Sequence, residues 1–394
     1  MKVDDTAFLC GYFTPERPFE PGAAWQPLEE TAEHEAILRD FYFPEFVDFQ
    51  TREVKRYVQA VGKEESIPLR SGKRLPFVVD EIRIWTMPAS LVIFAVKTVF
   101  TGTDINELTE ALGVLRNCSF YDSAAVGEFL EAAIQPLGPC PQLVENGNKF
   151  KVFQIITSPE CPDDYALRDR LLYAAGTVSR YEPGEPFSTD PQYFRRLMEK
   201  HRLGVFSSWT ALALLDTVTF LGKDVSDFQK GIWTDDYFGM IYIYELFRKC
   251  FLYRHNQLFR SGARKPAVLQ EELTEFERRY TFTAGSYNFL PVEVDQAIMR
   301  GLDLEREEKS LAKIVSQEVS AREEESSGRR EKFLLFLTCL ASLSAVWDIS
   351  CLLDEVINYE HTFSIPNWGY RLFSALLLLL IAAVAWSSSR KRKE

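Results

Sequence analysis

FLLFLTCLASLSAVWDISCLL, residues 333–353, carries a single charge, Asp348, in 21 positions. As an α-helix it is ~31 Å long at ~1.5 Å per residue, one hydrocarbon thickness of a bilayer. A second run, LFSALLLLLIAAVAWSSS at 372–389, has no charge, and Trp368, Tyr370 and Trp386 supply interfacial aromatics near its ends. Two buried helices of a soluble core is the competing reading; the spanning length favours two membrane helices.

The flanks set an orientation. Arg329, Arg330 and Lys332 precede the first run, and Arg390, Lys391, Arg392 and Lys393 follow the second. The connection at 354–371 holds Asp354, Glu355 and Glu360 against Arg371 alone. The positive-inside rule then predicts a multi-pass protein of the cell (inner) membrane, with both termini cytoplasmic and a short acidic outer loop. The opening MKVDDTAFLC predicts no signal peptide, being acidic and without an apolar core.

Within the first run, Thr338, Ala341, Ala345, Asp348 and Leu352 recur at alternating spacings of three and four, so they share one stripe of the helix. Small residues in such a stripe allow close helix approach, while an intramembrane carboxylate belongs in a bundle interior or beside water. Self-association around this stripe predicts a pore lined by these five residues, with a carboxylate ring at Asp348 and an acidic outer mouth at Asp354 and Glu355. Helix packing alone is the alternative. The second run has the uniform apolarity of a lipid-facing helix.

Upstream, 292–332 contains no proline and one internal glycine before the basic flank, Gly301, with Gly328 closer to the membrane. Val294, Ile298, Leu302, Leu311, Ile314, Val315 and Val319 recur at helical spacing among charged residues. Pro291 suits a first turn, so a long stalk helix over 291–332 is expected, continuous with the first span to 353 and ~90 Å in all.

The remaining chain predicts an α+β cytoplasmic domain at 1–180. FVVDEIRIWTM (77–87), SLVIFAVKTVF (90–100) and KFKVFQIIT (149–157) are strand-like. DINELTEALGVLR (104–116) and SAAVGEFLEAAI (123–134) are helix-like, with Asp104 and Ser123 as N-caps. RYEPGEPFSTDP (180–191) is the expected boundary, and 192–290 an aromatic, mainly helical region. FSSWTALALLDTVTFLG (206–222) is short for a span and is interrupted by Asp216, so it is expected as a buried soluble helix. Segment 233–260 is too apolar for one helix face and predicts several packing neighbours.

Composition excludes broad classes. Of 394 residues 46% are hydrophobic and 13% aromatic, too many for a disordered chain. The formal charge of −12 argues against direct nucleic-acid binding. Seven cysteines without a CxxC pair, and four scattered histidines, argue against a disulfide scaffold and a zinc site. No phosphate-loop, GxGxxG, GxSxG, HExxH or kinase motif occurs, so no enzyme is predicted. Asp235 and Asp236 read as helix-capping acids, with metal binding as the alternative, and His255 as structural. Arg248, Lys249, Arg254 and Arg260, joined by Arg264 and Lys265, form either an ordinary charged helix face or a site for an anionic ligand, because arginine forks among aromatics suit phosphates and bases.

An α+β domain, an elongated helix entering the membrane and a C-terminal two-span hairpin with a basic tail together resemble the CorA family of divalent-cation channels. The resemblance is architectural and strongest over 291–394. It implies a homopentamer, a funnel-shaped cytoplasmic assembly and a pore lined by the first span. The family's Gly-Met-Asn signature is absent: SCLLDEVIN stands at 350–358, and Gly239-Met240-Ile241 is far upstream. The chain thus looks more like a divergent branch, some members of which sit in antiviral CRISPR loci and respond to nucleotide second messengers. The expected function is an oligomeric ion channel gated by its cytoplasmic domain, with magnesium or a nucleotide messenger as gating ligand. The alternative is a membrane-anchored scaffold without transport.

Overall fold

Alternation along the first strand places the chain's two cores. In the computed structural model, which describes residues 1–359 apart from 16–18, 20–21, 24, 29–31, 117–148, 185–186 and 283–284, β1 spans Lys2–Phe13. Side chains two apart share a sheet face. Ala7, Leu9 and Phe13 join a core with helices α3 (Ile105–Arg116) and α4 (Tyr165–Thr177). Phe8 looks the other way and stacks on Phe238 at 3.8 Å between ring centroids. Gly11 is required on the first face, where a Cβ would stand 2.5 Å from the Phe94 ring.

β1 lies inside a nine-stranded mixed sheet of order β2-β3-β4-β5-β1-β6-β9-β8-β7. Its other strands are β2 (Gln26–Pro27), β3 (Lys55–Pro68), β4 (Arg74–Met87), β5 (Leu91–Asp104), β6 (Lys151–Thr157), β7 (Arg202–Leu203), β8 (Trp209–Ala213) and β9 (Thr217–Gly222). Neighbours run antiparallel except β6 and β9, which are parallel and pair Val152 with Thr217 through Thr157 with Gly222. The strands expected at 77–87, 90–100 and 149–157 are β4, β5 and β6. Asp104 caps α3, accepting from the Asn106 amide at 3.0 Å. The helix expected at 123–134 lies outside the described residues.

Residues 206–222 form the β8–β9 hairpin, not a helix. The β-branched and aromatic Thr217, Val218, Thr219 and Phe220 suit a strand, and buried strands and buried helices share an uninterrupted apolar run. Because β9 pairs with β6, 180–191 is not a domain boundary; Met1–Lys313 is one compact unit, and the division falls before Ile314.

Two short helices, α1 (Ala32–Phe41) and α2 (Pro44–Asp48), precede a π-helical turn at Phe49–Glu53. The α5 helix (Pro191–His201) leads into β7, and α6 (Asp227–Gly231) leads into a π-helical stretch, Ile232–Tyr242. That stretch runs on as α7 (Ile243–Ser261), followed by α8 (Pro266–Tyr280). The π-helix and α7 cover the second sheet face, where Phe153 meets Phe238 and Tyr242, and Phe220 meets Trp233. This many-sided apolarity is what 233–260 predicted.

The expected continuous stalk is two helices. The α9 helix (Phe289–Leu302) ends at Asp303, whose φ of 57° is left-handed, and α10 runs over Leu304–Tyr359. Aspartate tolerates this conformation better than most residues. Gly301 makes a close contact: a Cβ there would lie 2.7 Å from the Ala213 carbonyl on β8. Gly328 lies within unbroken helix.

Candidate functional site

The α10 helix carries an apolar window long enough to cross a membrane, with no part of it buried in the protein. Phe333, Leu334, Phe336, Leu340, Trp347 and Ile349 are exposed. The five stripe residues Thr338, Ala341, Ala345, Asp348 and Leu352 all lie on it in helical conformation, so their three-four spacing is a physical stripe. Thr338 donates its hydroxyl to the Leu334 carbonyl and Ser342 to that of Thr338, each at 2.8 Å. These polar groups are satisfied within the helix, as a lipid environment demands. The helix continues through Tyr359, so Asp354 and Glu355 stand on helix rather than in the expected loop. The second run at 372–389 lies outside the described residues.

The four basic candidates of the body do not converge. Arg248 and Lys249 are buried on α7 and engaged with acids. Arg248 donates to both Glu245 oxygens at 3.1 and 3.2 Å and to Glu308 at 3.3 Å. Lys249 donates to the Leu302 carbonyl at 2.8 Å and pairs with Glu307 at 2.6 Å. Arg254 donates to the Ala89 carbonyl at 2.7 Å and lines a cavity of about 320 Å³ with His255, Arg264, Glu272 and Arg279. Arg260 is exposed at the end of α7. Ala89 and Ser90, in the β4–β5 turn, both have positive φ, 57° and 55°. His255 is buried, bonded through Nδ1 to the Phe251 carbonyl at 2.9 Å, and burial holds its pKa below the usual histidine range.

Arg248 and Lys249 instead fasten a junction. Leu302 ends α9, while Glu307 and Glu308 lie in the first turns of α10, so α7 grips both sides of the Asp303 break. A cation at the α9 C-terminus and acids at the α10 N-terminus also complement the helix dipoles. Beside this clamp sits a carboxyl pair, Glu245 and Asp295. Burial raises Glu245 well above the usual carboxylate range and pushes Asp295 up to about 6. Asp295 Oδ1 is shut from solvent without a hydrogen-bond partner.

Sequence reading missed the acidic half of this cluster and also a second cavity of about 220 Å³. Its lining includes Cys10 and Tyr12 of β1, Lys149 and Lys151 from β6 and just before it, Lys249 and Tyr253 of α7, and Glu307. Lysines alternating with Phe150 and Val152 were the available signal for it. Asp235 lies 3.4 Å from Arg83, and among the described residues no cluster of acids, cysteines and histidines is arranged to hold a metal ion. No protein-family model matches the chain, and none of the curated proteins matches it significantly.

Proposed function

We propose that this chain is a subunit of a CorA-like homo-oligomeric ion channel of the cell membrane, in which the α10 stripe lines the pore and the α/β body gates it from the cytoplasm. The observation that carries the reading is the continuity of α10: one helix begins in the clamp at Glu307 and Glu308 and contains the uncovered apolar window with Asp348. Asp348 sits in the small-residue stripe, where assembly around that stripe gives the carboxylate a polar lumen. The second span at 372–389 and cytoplasmic termini complete the proposed topology, with a pentamer by resemblance. The gating ligand is magnesium or a nucleotide messenger, and any ligand gates only by binding one pore state more tightly than the other.

The test is cation flux through purified protein in liposomes, with magnesium and with a panel of nucleotides. Asp348→Asn is expected to lower cation conductance several-fold while the oligomer stays intact. Unchanged conductance removes Asp348 from the pore. A lone exposed helix also suits a membrane-anchored scaffold; function retained after replacing the membrane segment by an unrelated one favours that reading.

A further inference from the structure

An α-helix packed on a sheet ordinarily meets it through an apolar stripe. On α7, Leu246, Lys249, Cys250 and Tyr253 form such a stripe by spacings of three, one and three, and all four line the 220 Å³ cavity. Opposite them, Cys10 pairs across strands with Lys151, and Tyr12 and Lys149 line the same cavity. Three lysines, Lys149, Lys151 and Lys249, therefore line one small cavity. Glu307 is the acid in the cavity wall, and Asp216 stands behind Lys151.

Each ammonium has three donors. Lys151 uses two, to the Leu215 carbonyl at 2.9 Å and to Asp216 at 2.6 Å. Lys249 also uses two, to the Leu302 carbonyl and to Glu307. Lys149 makes no hydrogen bond or ion pair among the described residues. Among the described residues, one donor on Lys151, one on Lys249 and those of Lys149 remain for an occupant.

We infer that this cavity binds a small phosphate-bearing molecule. A phosphate monoester offers three acceptor oxygens and nearly two negative charges at neutral pH, which matches three lysine ammoniums better than a carboxylate does. The flanking Tyr12 and Tyr253, in edge-to-face contact at 6.5 Å, offer an aromatic wall to whatever the phosphate carries. The occupant competes with Glu307 for Lys249. The site stands independently of the channel reading; an effect on α10 would rest on that reading.

Binding is measured by isothermal titration of the full chain in detergent, at physiological ionic strength, with inorganic phosphate and with adenosine 5′-monophosphate as probes and acetate as the carboxylate comparison. Saturable binding of a phosphate probe, tighter than acetate, is expected. Preference for the nucleotide assigns an organic phosphate, and equal affinity assigns the free ion. Lys149→Glu, at an exposed position, is expected to weaken binding at least tenfold, and Lys230→Glu on distant α6 to leave it unchanged. Glu307→Gln, which frees Lys249, is expected to tighten it several-fold. Absence of saturable phosphate binding in the wild type, or full affinity in Lys149→Glu, overturns the proposal. No flux is read, so failure of the channel reading leaves the result intact.

Discussion

Asp295→Asn isolates the cost of the buried carboxyl pair. In the folded protein Asp295 is pushed up to about 6, chiefly by burial, against hydrogen bonding from Glu245 and the charge of Arg248. The unfolded chain releases this proton near pH ~3.9. The folded state therefore holds the proton more tightly, and stability falls as pH rises from about 4 to about 6. At ~1.4 kcal/mol per unit the full loss is about 3 kcal/mol, of which about 2 kcal/mol falls between pH 4.5 and 7.5. Asparagine keeps the shape, can still hydrogen-bond Glu245 and carries no charge at either pH. The variant should thus match the wild type near pH 3 to within the change in hydrogen bonding, lead it by about 1 kcal/mol at pH 4.5, and gain about 2 kcal/mol more by pH 7.5. Urea unfolding of the full chain in detergent, followed by tryptophan fluorescence from buried residues such as Trp233, reads this directly. A wild type and variant with the same pH dependence would refute the reasoning, because Asp295 would then ionise in the fold as it does in water.

Gly301→Ala places a methyl 2.7 Å from the Ala213 backbone, so it should cost about 1–3 kcal/mol in the same unfolding assay, despite alanine's higher helix propensity. Replacing Ala89-Ser90 by Asn-Gly should raise the melting temperature, by about 1 kcal/mol of relieved strain, because both positions have the positive φ of a hairpin turn that Asn-Gly favours. The same exchange should leave cation flux unchanged in liposomes.

What sequence could and could not disclose follows from the range of the interactions. The strands β4, β5 and β6 were readable because β-branched and aromatic residues dominate them locally. The β8–β9 hairpin was misread because both its faces are buried, which erases the alternation that distinguishes a strand; all eleven of its strand residues are buried. The break at Asp303 was invisible because Leu302 and Leu304 continue the apolar pattern on either side, and the carbonyl just before the left-handed residue, that of Leu302, is held by Lys249, 53 positions away. Arg248 and Lys249 were singled out as cations, yet whether they face ligand or protein depended on Glu307 and Glu308 in a helix read as solvated. The helix long and apolar enough to cross a membrane was legible for the opposite reason: length and apolarity are local properties.

The two cations of the clamp are not equivalent, and this decides how the junction can respond. Arg248 has 4% of its side chain exposed and Glu245 1%, so removing one of them leaves a buried charge alone, a loss of about 3–5 kcal/mol. Glu307 is 40% exposed, and its pair with Lys249 is screened by water, worth about 1 kcal/mol or less. An anion reaching Lys249 therefore has only the weaker contact to displace, while Arg248 keeps α7 attached to α10 through Glu308. Coupling through this contact is limited to the energy it holds. Since 1.4 kcal/mol corresponds to tenfold, a ligand acting through the Lys249–Glu307 pair can shift an α10 equilibrium by at most about fivefold. In the proposed channel, a steeper response would require several subunits to act together.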